Sequence, residues 1–357
     1  MLLNLLYFFG GLAALVVGAD ALVRGASKLA LSLGLSSLVV GLTVVAFGTS
    51  APELAVSVGA VLDGRTDIAV GNVVGSNILN VLLILGISAL IVPLLVHVQV
   101  IRQEVPIMIG VTVLLCVLIL DGNLSMFEGA LLFGLLLAYT TFVIVQSRRE
   151  TKEAQAEFDE EVQPAVPGAW DSSVGMQILL IVVGLVLLVL GAQGIVISAV
   201  AFAQVIGVSE LIIGLTIVAI GTSLPEIAAS IVAAIKGERD IAVGNIVGSN
   251  IFNILCVLGL SSLISGSAGL AIAGAVLNFD MWVMLAVAVA CLPVFFSGRE
   301  IARWEGGVFL AYYLAYVAFL VLAAKQHEAL EAYSTAMMLF VVPLTVITLV
   351  VTSIRRH

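Results

Sequence analysis

Charged residues are scarce in this sequence, and so are the residue types from which metal sites and catalytic arrangements of soluble enzymes are built. Asp, Glu, Lys and Arg make up 10% of the 357 residues, where a soluble domain has about 25%. The three histidines and three cysteines show no zinc-ligand spacing and no Ser-His arrangement. We therefore expect no enzyme, and the formal net charge of −9 gives no reason to expect a nucleic-acid partner.

Long hydrophobic runs take the place of charge. Hydrophobic residues make up 62% of the chain, and they fall into stretches of the roughly 20 residues that a helix needs to cross a bilayer. We expect an all-α polytopic membrane protein with ten core transmembrane helices and one extra C-terminal helix. The predicted spans are 2–30, 37–62, 67–92, 104–120, 126–147, 173–203, 209–235, 240–264, 275–297, 304–324 and 333–353. The first and sixth spans are the longest, which predicts that they are tilted.

One polar stretch separates two groups of five spans. Acidic residues crowd into it together with Pro164 and Pro167, a composition typical of a solvated linker. The expected organisation is a first repeat over 1–147, an acidic cytoplasmic loop over 148–172, a second repeat over 173–324 and the extra helix over 333–353.

The distribution of Lys and Arg predicts the orientation. With the N-terminus outside and eleven crossings, only Arg65 and Lys325 fall outside, and Arg24 is ambiguous. The positive-inside rule therefore predicts a cytoplasmic C-terminus, in the plasma membrane and most simply the inner membrane of a prokaryote. Five crossings separate the second span from the seventh, so these two spans run in opposite directions.

A sequence repeat begins in those two spans. Residues 41–86 recur at 214–259, with 29 of 46 positions identical at a constant offset of 173. Because the copies begin in spans of opposite direction, they form inverted repeats. Inverted repeats are typical of secondary transporters, which bind ions near the membrane midplane where the halves meet.

Each copy places one acidic residue in the middle of an apolar span. Glu53 in GTSAPE and Glu226 in GTSLPE are equivalent under the offset, and a carboxylate at membrane depth is costly enough to indicate a functional site. Hydroxyls share the helix face of each acid at a spacing of four: Thr49 and Ser57 in the first copy, Thr222 and Ser230 in the second.

A helix break is expected beside each acid. Pro52 and Pro225 lack an amide hydrogen and disrupt a continuous helix, and Gly48 and Gly221 lie just before them. Freed carbonyls, hydroxyls and a carboxylate are hard oxygen ligands, which suit Na⁺ or Ca²⁺ and do not suit copper or zinc.

The following span of each copy carries a second polar stripe. Asn72, Ser76 and Asn80 are spaced by four, as are Asn245, Ser249 and Asn253, and small residues accompany them at Gly71, Gly75, Gly244 and Gly248. The glycines predict close helix packing. Ion ligation is the favoured interpretation for Ser76, Asn80, Ser249 and Asn253. For Asn72, Asn77, Asn245 and Asn250, hydrogen bonds that tie helices together are at least as good an interpretation.

Other polar residues in the spans have plainer interpretations. Two protonated glutamates could serve only as hydrogen-bonding groups, but two matched copies beside Thr-Ser and Pro disfavour that. Asp20, which has Gln193 as its counterpart, is either a pathway residue or an end-of-helix contact. Glu104, Glu128, Glu210 and Asp280 are interpreted as helix-boundary residues, and Cys116, Cys256 and Cys291 as packing residues.

GTSAPE with GNVVGSNILN, and GTSLPE with GNIVGSNIFN, resemble the α-1 and α-2 repeats of the calcium/cation antiporter superfamily. The resemblance is closest to the sodium/calcium exchangers and their bacterial relatives, and it covers residues 1 to about 325. It implies ten core helices, ion binding between the second, third, seventh and eighth of them, and long first and sixth helices that slide to alternate access.

The resemblance also implies roles for single residues. Glu53, Glu226, Thr49 and Thr222 would hold Ca²⁺; Ser50, Ser223, Ser76 and Ser249, with the backbone carbonyls of Ala46 and Ala219, would hold Na⁺; and Asn80 and Asn253 would complete the centre. No cofactor is implied besides the transported ions. Several relatives, potassium-dependent exchangers among them, carry Asp at the position of Asn253, so Asn here weakens K⁺ coupling. The GTS beside each acid, in place of GN, weakens H⁺ coupling.

The sequence therefore predicts an antiporter that extrudes Ca²⁺ in exchange for Na⁺. An exchanger coupled to H⁺ or K⁺, or one for another divalent cation, is the alternative. A cation channel is less well supported, since a channel usually completes its pore with several subunits and this chain carries both half-sites itself.

Overall fold

The computed structural model describes residues 2–149, 171–206, 213, 217 and 219–355. The predicted loop 148–172 lies mostly outside this part, as do Glu210 and much of the first half of the seventh predicted span, so the interpretations placed there stay predictions. The helices are α1 (Leu2–Leu33), α2 (Ser37–Thr49), α3 (Ala51–Leu62), α4 (Thr66–Ile91), α5 (Val100–Leu118), α6 (Met126–Arg149), α7 (Val174–Val205), α8 (Ala219–Thr222), α9 (Leu224–Ile235), α10 (Arg239–Ala268), α11 (Val276–Phe296), α12 (Arg303–Ala324) and α13 (Ala329–Thr348, continuing to Arg355).

These helices confirm the predicted spans to within a few residues. Among the described residues, 9 helices are long and apolar enough to cross a membrane, and the bent pair α2 and α3 makes a tenth span. The short helix α9 forms the C-terminal end of the seventh predicted span, and much of the first half of that span lies outside the described residues. The two predicted long helices are indeed the longest, at 32 residues each for α1 and α7.

Two short strand pairs mark the two ends of the bundle. β1 (Leu94–Leu95) pairs antiparallel with β4 (Glu300–Ile301), and β2 (Asn123–Leu124) pairs antiparallel with β3 (Leu270–Ala271). A single crossing, α5, separates β1 from β2, so the pairs lie at opposite ends. Each pair joins the strand after the third span of one half to the strand after the fourth span of the other. This exchange is what a two-fold relation between inverted halves requires.

Glycines bring α1 and α7 into close contact. A Cβ added to Gly18 would lie 2.8 Å from the carbonyl oxygen of Gly184, and one added to Gly11 would lie 2.7 Å from that of Gly191. Gly25, a further seven residues along α1, stands in the same way 2.8 Å from the carbonyl oxygen of Gln177. The backbones of the two helices therefore touch along three glycine positions spaced by seven, and any larger residue there would push them apart.

Ion pairs connect the second half of α1 to the start of α7 and to the end of α9. Asp171, just before α7, pairs with Arg24 at 2.5 Å and with Lys28. Because of the Lys28 ammonium, and to a smaller extent Arg24, the pKa of the Asp171 carboxyl lies below its ordinary value. Asp20 pairs with Lys236, which follows α9. Asp20 lies well inside α1 and not at its end, so this ion pair leaves both interpretations of Asp20 as predictions.

The C-terminal helix α13 packs on the outside of the bundle. Tyr312 of α12 donates to the Thr345 hydroxyl at 2.7 Å, and Tyr333 donates to the carbonyl of Ala315 at 2.8 Å. No residue of α13 from Ala329 to Thr348 is buried. The helix is an addition to the ten-span core and contributes nothing to its centre.

Candidate ion-binding centre

The second span breaks at a serine. The axes of α2 and α3 differ by 41°, and Ser50 between them has φ −79° and ψ 4°, outside the helical region. Ser223 takes nearly the same conformation, φ −91° and ψ 8°, between α8 and α9. The predicted breaks are confirmed. Pro52 and Pro225 lie in the first turn of the helix after each break, where the missing amide hydrogen costs nothing.

Gly48 and Gly221 lie just before the breaks and pack against α7. A Cβ on Gly48 would collide with the side chain of Leu185, and one on Gly221 would collide with Val196, both in α7. Gly48 lies inside α2, which continues to Thr49. The two glycines therefore allow close approach to α7, and each helix breaks two residues later, at Ser50 and Ser223.

Both predicted acids lie in the first turn of a helix that starts at the break. Glu53 is in the first turn of α3 and Glu226 in that of α9, where the helix dipole favours negative charge. Both side chains are buried, at 0% and 1% exposure. Two half-helices thus point their positive ends, each with one carboxylate, into the interior.

The two halves exchange hydrogen bonds at these acids. Ser223 donates to Oε1 of Glu53 at 2.8 Å, and Ser50 donates to Oε1 of Glu226 at 3.2 Å. The oxygen of Ser76 lies 3.3 Å from that of Ser223. Each acid is therefore held by the serine at the break of the other half. The sequence predicted that these residues are equivalent but gave no sign of the crossed pairing.

Several buried oxygens in this region have no hydrogen-bond partner among the described residues. They are Oε2 of Glu53, Oε2 of Glu226, Oδ1 of Asn80, Oδ1 of Asn253 and Oγ of Ser249. Leaving a buried acceptor unpaired costs about 1–3 kcal/mol, and more for a charged group. Five such oxygens in two matched helix pairs form a set of hard donors that a cation would satisfy.

The remaining asparagines connect the helices. Asn72 of α4 donates to Ser57 at 3.0 Å and to the carbonyl of Glu53 at 3.2 Å. In the other half, Asn245 donates to Ser230 at 2.9 Å, and its oxygen accepts from Thr49 at 3.0 Å. The structure thus supports the helix-connecting interpretation of Asn72 and Asn245.

Thr49, Thr222, Ala46 and Ala219 border the centre. Thr222 lies near the Glu53 carboxylate, and Thr49 lies near the Glu226 carboxylate. The carbonyl of Ala46 already accepts the amide of Ser50 at 3.0 Å, and Ala219 is the first described residue of α8. Ion ligation by these four residues remains a prediction.

A feature with no signal in the sequence is a π-helical stretch at each amide position. The π segments cover Asn80–Leu85 in α4 and Asn253–Leu258 in α10. Such insertions occur frequently at functional sites, although further π segments at Gly41–Val45, Val100–Glu104, Val276–Asp280 and Met337–Val341 show that they are not confined to this centre. The same residue begins the segment in both halves, which marks Asn80 and Asn253 as a matched pair.

The prediction that glycines allow close helix packing is confirmed for α10 and stays a prediction for α4. A Cβ on Gly248 would lie 2.7 Å from the carbonyl oxygen of Leu42, and one on Gly244 would lie 2.9 Å from that of Leu38, so both glycines allow α10 to pack closely on α2. For Gly71 and Gly75 no described atom comes within 4 Å. Their expected partners under the offset lie in the undescribed part of the seventh span, so this part stays a prediction.

Glu104 lies near the start of α5, as a boundary residue should, but its burial and its partners were not predicted. It is fully buried at the start of α5 and accepts hydrogen bonds from Tyr139 at 2.9 Å, Gln103 at 2.9 Å and Gln99 at 3.1 Å. A hydropathy pattern cannot show this, because the partners come from two helices. Both of its oxygens are satisfied, in contrast to those of Glu53 and Glu226.

The other side-chain interpretations agree with the structure. Glu128 accepts from the backbone amide of Ser125 at 2.8 Å and so caps α6. Asp280 accepts from Tyr316 at 2.8 Å near the start of α11. The three cysteines are buried and free. Among the described residues, no three of His, Cys, Asp and Glu are close enough to hold a metal ion, so the donors of the centre are two carboxylates with hydroxyls and amides.

Comparison with known proteins decides the family. The sodium/calcium exchanger protein family matches residues 3–145 and 176–322. The chain belongs to this family. It is a multi-pass membrane protein of a transporter family and not an enzyme, and cation exchange involving Ca²⁺ is the family's activity.

Individual relatives agree with that assignment. The chain is 41% identical over 321 residues, 88% of its length and 98% of the relative's, to CaxA of Alkalimonas amylolytica, whose name gives antiporter only as a candidate activity. It is 36% identical to the sodium/calcium exchanger MaX1 of Methanosarcina acetivorans, over 89% of this chain and 98% of that one. Among solved structures, the sodium-calcium exchanger NCX_Mj soaked with Na⁺ and Ca²⁺ has a TM-score of 0.75 and 30% identity, with 89% of this chain and 98% of that chain covered.

Proposed function

We propose that this exchanger moves Ca²⁺ out of the cell in exchange for Na⁺ entering down its gradient. The observation that carries the proposal is the pair of buried glutamates, each with one oxygen bonded across the two-fold relation and one oxygen unpaired. Serine hydroxyls bond both glutamates, and α4 and α10 contribute further unpaired hydroxyl and amide oxygens; this donor set suits both ions.

Charge arithmetic explains why the two ions exchange. The two carboxylates carry −2, which one Ca²⁺ or two Na⁺ neutralise. Loading both at once would leave excess positive charge in a buried site, which is strongly unfavourable. Ca²⁺ and Na⁺ therefore compete for the same oxygens. A centre without an ion carries two buried negative charges, and moving these charges across the membrane is itself costly. Competition of this kind produces antiport and suppresses leak.

The membrane potential drives the cycle if more than two Na⁺ enter per Ca²⁺. Each extra positive charge that crosses contributes about 2.3 kcal/mol per 100 mV. The orientation with an outer N-terminus and a cytoplasmic C-terminus, in a prokaryotic inner membrane, accompanies the proposal. A 40% identical relative from Escherichia coli is named an inner membrane protein, YrbG, which is compatible with that location.

Coupling to H⁺ or K⁺ is the alternative, and a specific observation bears on K⁺. Sodium/potassium/calcium exchangers of mammals match the chain, but at 30–32% identity over 116–120 residues. Asn80 and Asn253, both amides, supply no further negative charge for an additional monovalent ion. Na⁺ alone therefore fits the donor set better.

The test is uptake of radioactive Ca²⁺ into proteoliposomes loaded with Na⁺. Vesicles loaded with K⁺ and vesicles carrying an outward proton gradient serve as controls. We expect uptake only with internal Na⁺, increased by an inside-positive potential. Uptake with the proton gradient and none with Na⁺ would replace this proposal with H⁺ coupling.

A further inference from the structure

A side-chain amide that binds a cation must present its oxygen to the ion. The two ends of an asparagine amide are similar in shape, but the oxygen accepts and the NH₂ group only donates. An amide turned the wrong way would point two partly positive hydrogens at the ion. Asn80 and Asn253, buried at 1% and 0% exposure, therefore need partners that fix which end faces the centre.

For Asn253 the partner is Asn77 of the other half. Nδ2 of Asn77 lies 3.2 Å from the backbone carbonyl oxygen of Asn250 and 3.8 Å from the sulfur of Met284. A backbone carbonyl can only accept, so the NH₂ group of Asn77 must face it. This contact fixes the orientation of Asn77 itself.

The fixed orientation of Asn77 is passed on to Asn253. Oδ1 of Asn77 faces Nδ2 of Asn253 at 3.0 Å and can only accept there, so Asn253 must offer its NH₂ group. The opposite end of the Asn253 amide, Oδ1, then has no partner among the described residues. One backbone carbonyl in α10 thus determines, through a residue of α4, that Asn253 turns its oxygen away from Asn77.

The other half repeats the arrangement with a weaker final contact. Asn80 donates to Oδ1 of Asn250 at 3.0 Å, which again leaves Oδ1 of Asn80 unpaired. Nδ2 of Asn250, however, faces the sulfur of Met108 at 3.5 Å, and a thioether is a weak acceptor. The orientation of Asn80 is therefore fixed less firmly than that of Asn253.

We infer that Asn77 is a positioning residue of the ion-binding centre, which sets Ca²⁺ affinity by holding the Asn253 amide with its oxygen toward the ion. Asn77 itself does not touch the ion. The inference rests on the proposed function only in taking Ca²⁺ as a ligand of the centre; it does not depend on which ion drives transport.

The test is a double-mutant cycle of Asn77→Ala and Asn253→Asp, read by equilibrium binding of radioactive Ca²⁺ to the purified full chain. A carboxylate presents an oxygen whichever way it turns, so Asn253→Asp removes the need for orientation. We expect Asn77→Ala to raise the Ca²⁺ dissociation constant about tenfold in the wild-type background. In the Asn253→Asp background the same change should shift it less than about twofold.

Equal shifts in both backgrounds would show a purely structural role for Asn77 and overturn the inference, as would no shift in the wild-type background. If Asn77→Ala does not give a monodisperse protein, Asn77→Leu fills the same space without an amide and is subject to the same comparison. Failure of Na⁺-driven uptake by the wild type would overturn the proposed coupling and leave this binding comparison decisive for Asn77.

Discussion

Glu53 and Glu226 each combine a bonded and an unbonded oxygen in a fully buried carboxylate. The bonded oxygen is held by a serine from the opposite half, so an ion that binds the free oxygens contacts both halves at once. At the scale of the residue, the proposed ion binding therefore depends on a few side chains. The unbonded oxygen also separates these two acids from Glu104, which is equally buried but satisfied.

Glu53→Gln should weaken Ca²⁺ binding by at least about 100-fold, because a neutral amide replaces one of the two charges that balance the ion. Equilibrium Ca²⁺ binding to the purified variant measures this. Glu104→Gln is the matched control: it changes a buried glutamate whose three partners are all protein groups, and its Ca²⁺ affinity should stay within about threefold of wild type. A similar loss of affinity in both variants would remove the centre from Glu53.

The sequence predicted individual site residues best where both copies of the repeat contain the same residue. The two acids, the two breaks and the paired amides were all predicted, because each appears twice at one offset. The crossed serine bonds, the role of Asn77 and the burial of Glu104 were not predicted. Each of these depends on side chains from different helices meeting in space, and periodicity along one helix carries no such information.

At the scale of the element, α1 and α7 form one closely packed pair. The resemblance to sodium/calcium exchangers implies that the long helices slide across the core, and the touching backbones at Gly18 and Gly184 indicate that the two would slide together. The glycine interval of seven in α1 was visible in the sequence at Gly11, Gly18 and Gly25, and it is the signal that could have predicted this contact.

Gly18→Ala should destabilise the protein by about 1–3 kcal/mol, since the added methyl group would overlap the backbone of α7. Gly10→Ala is the control, because a Cβ at that position meets nothing within 4 Å. Thermal unfolding of both variants in one detergent measures the difference. A lower melting temperature for Gly10→Ala than for Gly18→Ala would contradict the close contact.

The ion pairs of Asp171 give α1 and α7 a pH-dependent connection. The pKa of Asp171 is lowered mainly by Lys28, so the folded state favours the charged form. Its contribution to stability is present above the unfolded pKa of about 3.9 and is lost as the pH falls through the lower folded value.

Asp171→Asn should therefore lower the melting temperature at pH 7, and the difference from wild type should disappear as the pH falls below about 3.9. Melting curves of both proteins across this pH range test the prediction. A difference that grows toward acidic pH would mean that Asp171 is destabilising as a charged group, contrary to its pairing with two cations.

At the scale of the whole molecule, the inverted halves determine which loops share a side. The strand pairs β1–β4 and β2–β3 lie at opposite ends of the bundle, and the charge distribution predicts that the β1–β4 end faces the cytoplasm. The side on which each loop lies could be predicted from the sequence by counting membrane crossings. The pairing of strands from different halves could not be predicted in this way.

Single cysteines report this orientation, since the three native cysteines are buried. Arg65→Cys, in the exposed turn between α3 and α4, should react with a membrane-impermeant maleimide added to whole cells. Arg102→Cys, exposed at the start of α5, should react only after the membrane is opened. The reverse pattern would invert the predicted topology and leave the fold unchanged.

The most direct test of the central claim is equilibrium Ca²⁺ binding at increasing Na⁺ concentration. If the two carboxylates serve both ions, the apparent dissociation constant for Ca²⁺ should rise without limit as Na⁺ increases, and more steeply than in direct proportion because two or more Na⁺ replace one Ca²⁺. An apparent dissociation constant that reaches a plateau, or does not respond to Na⁺, would contradict a shared centre and with it the competition that couples the two ions.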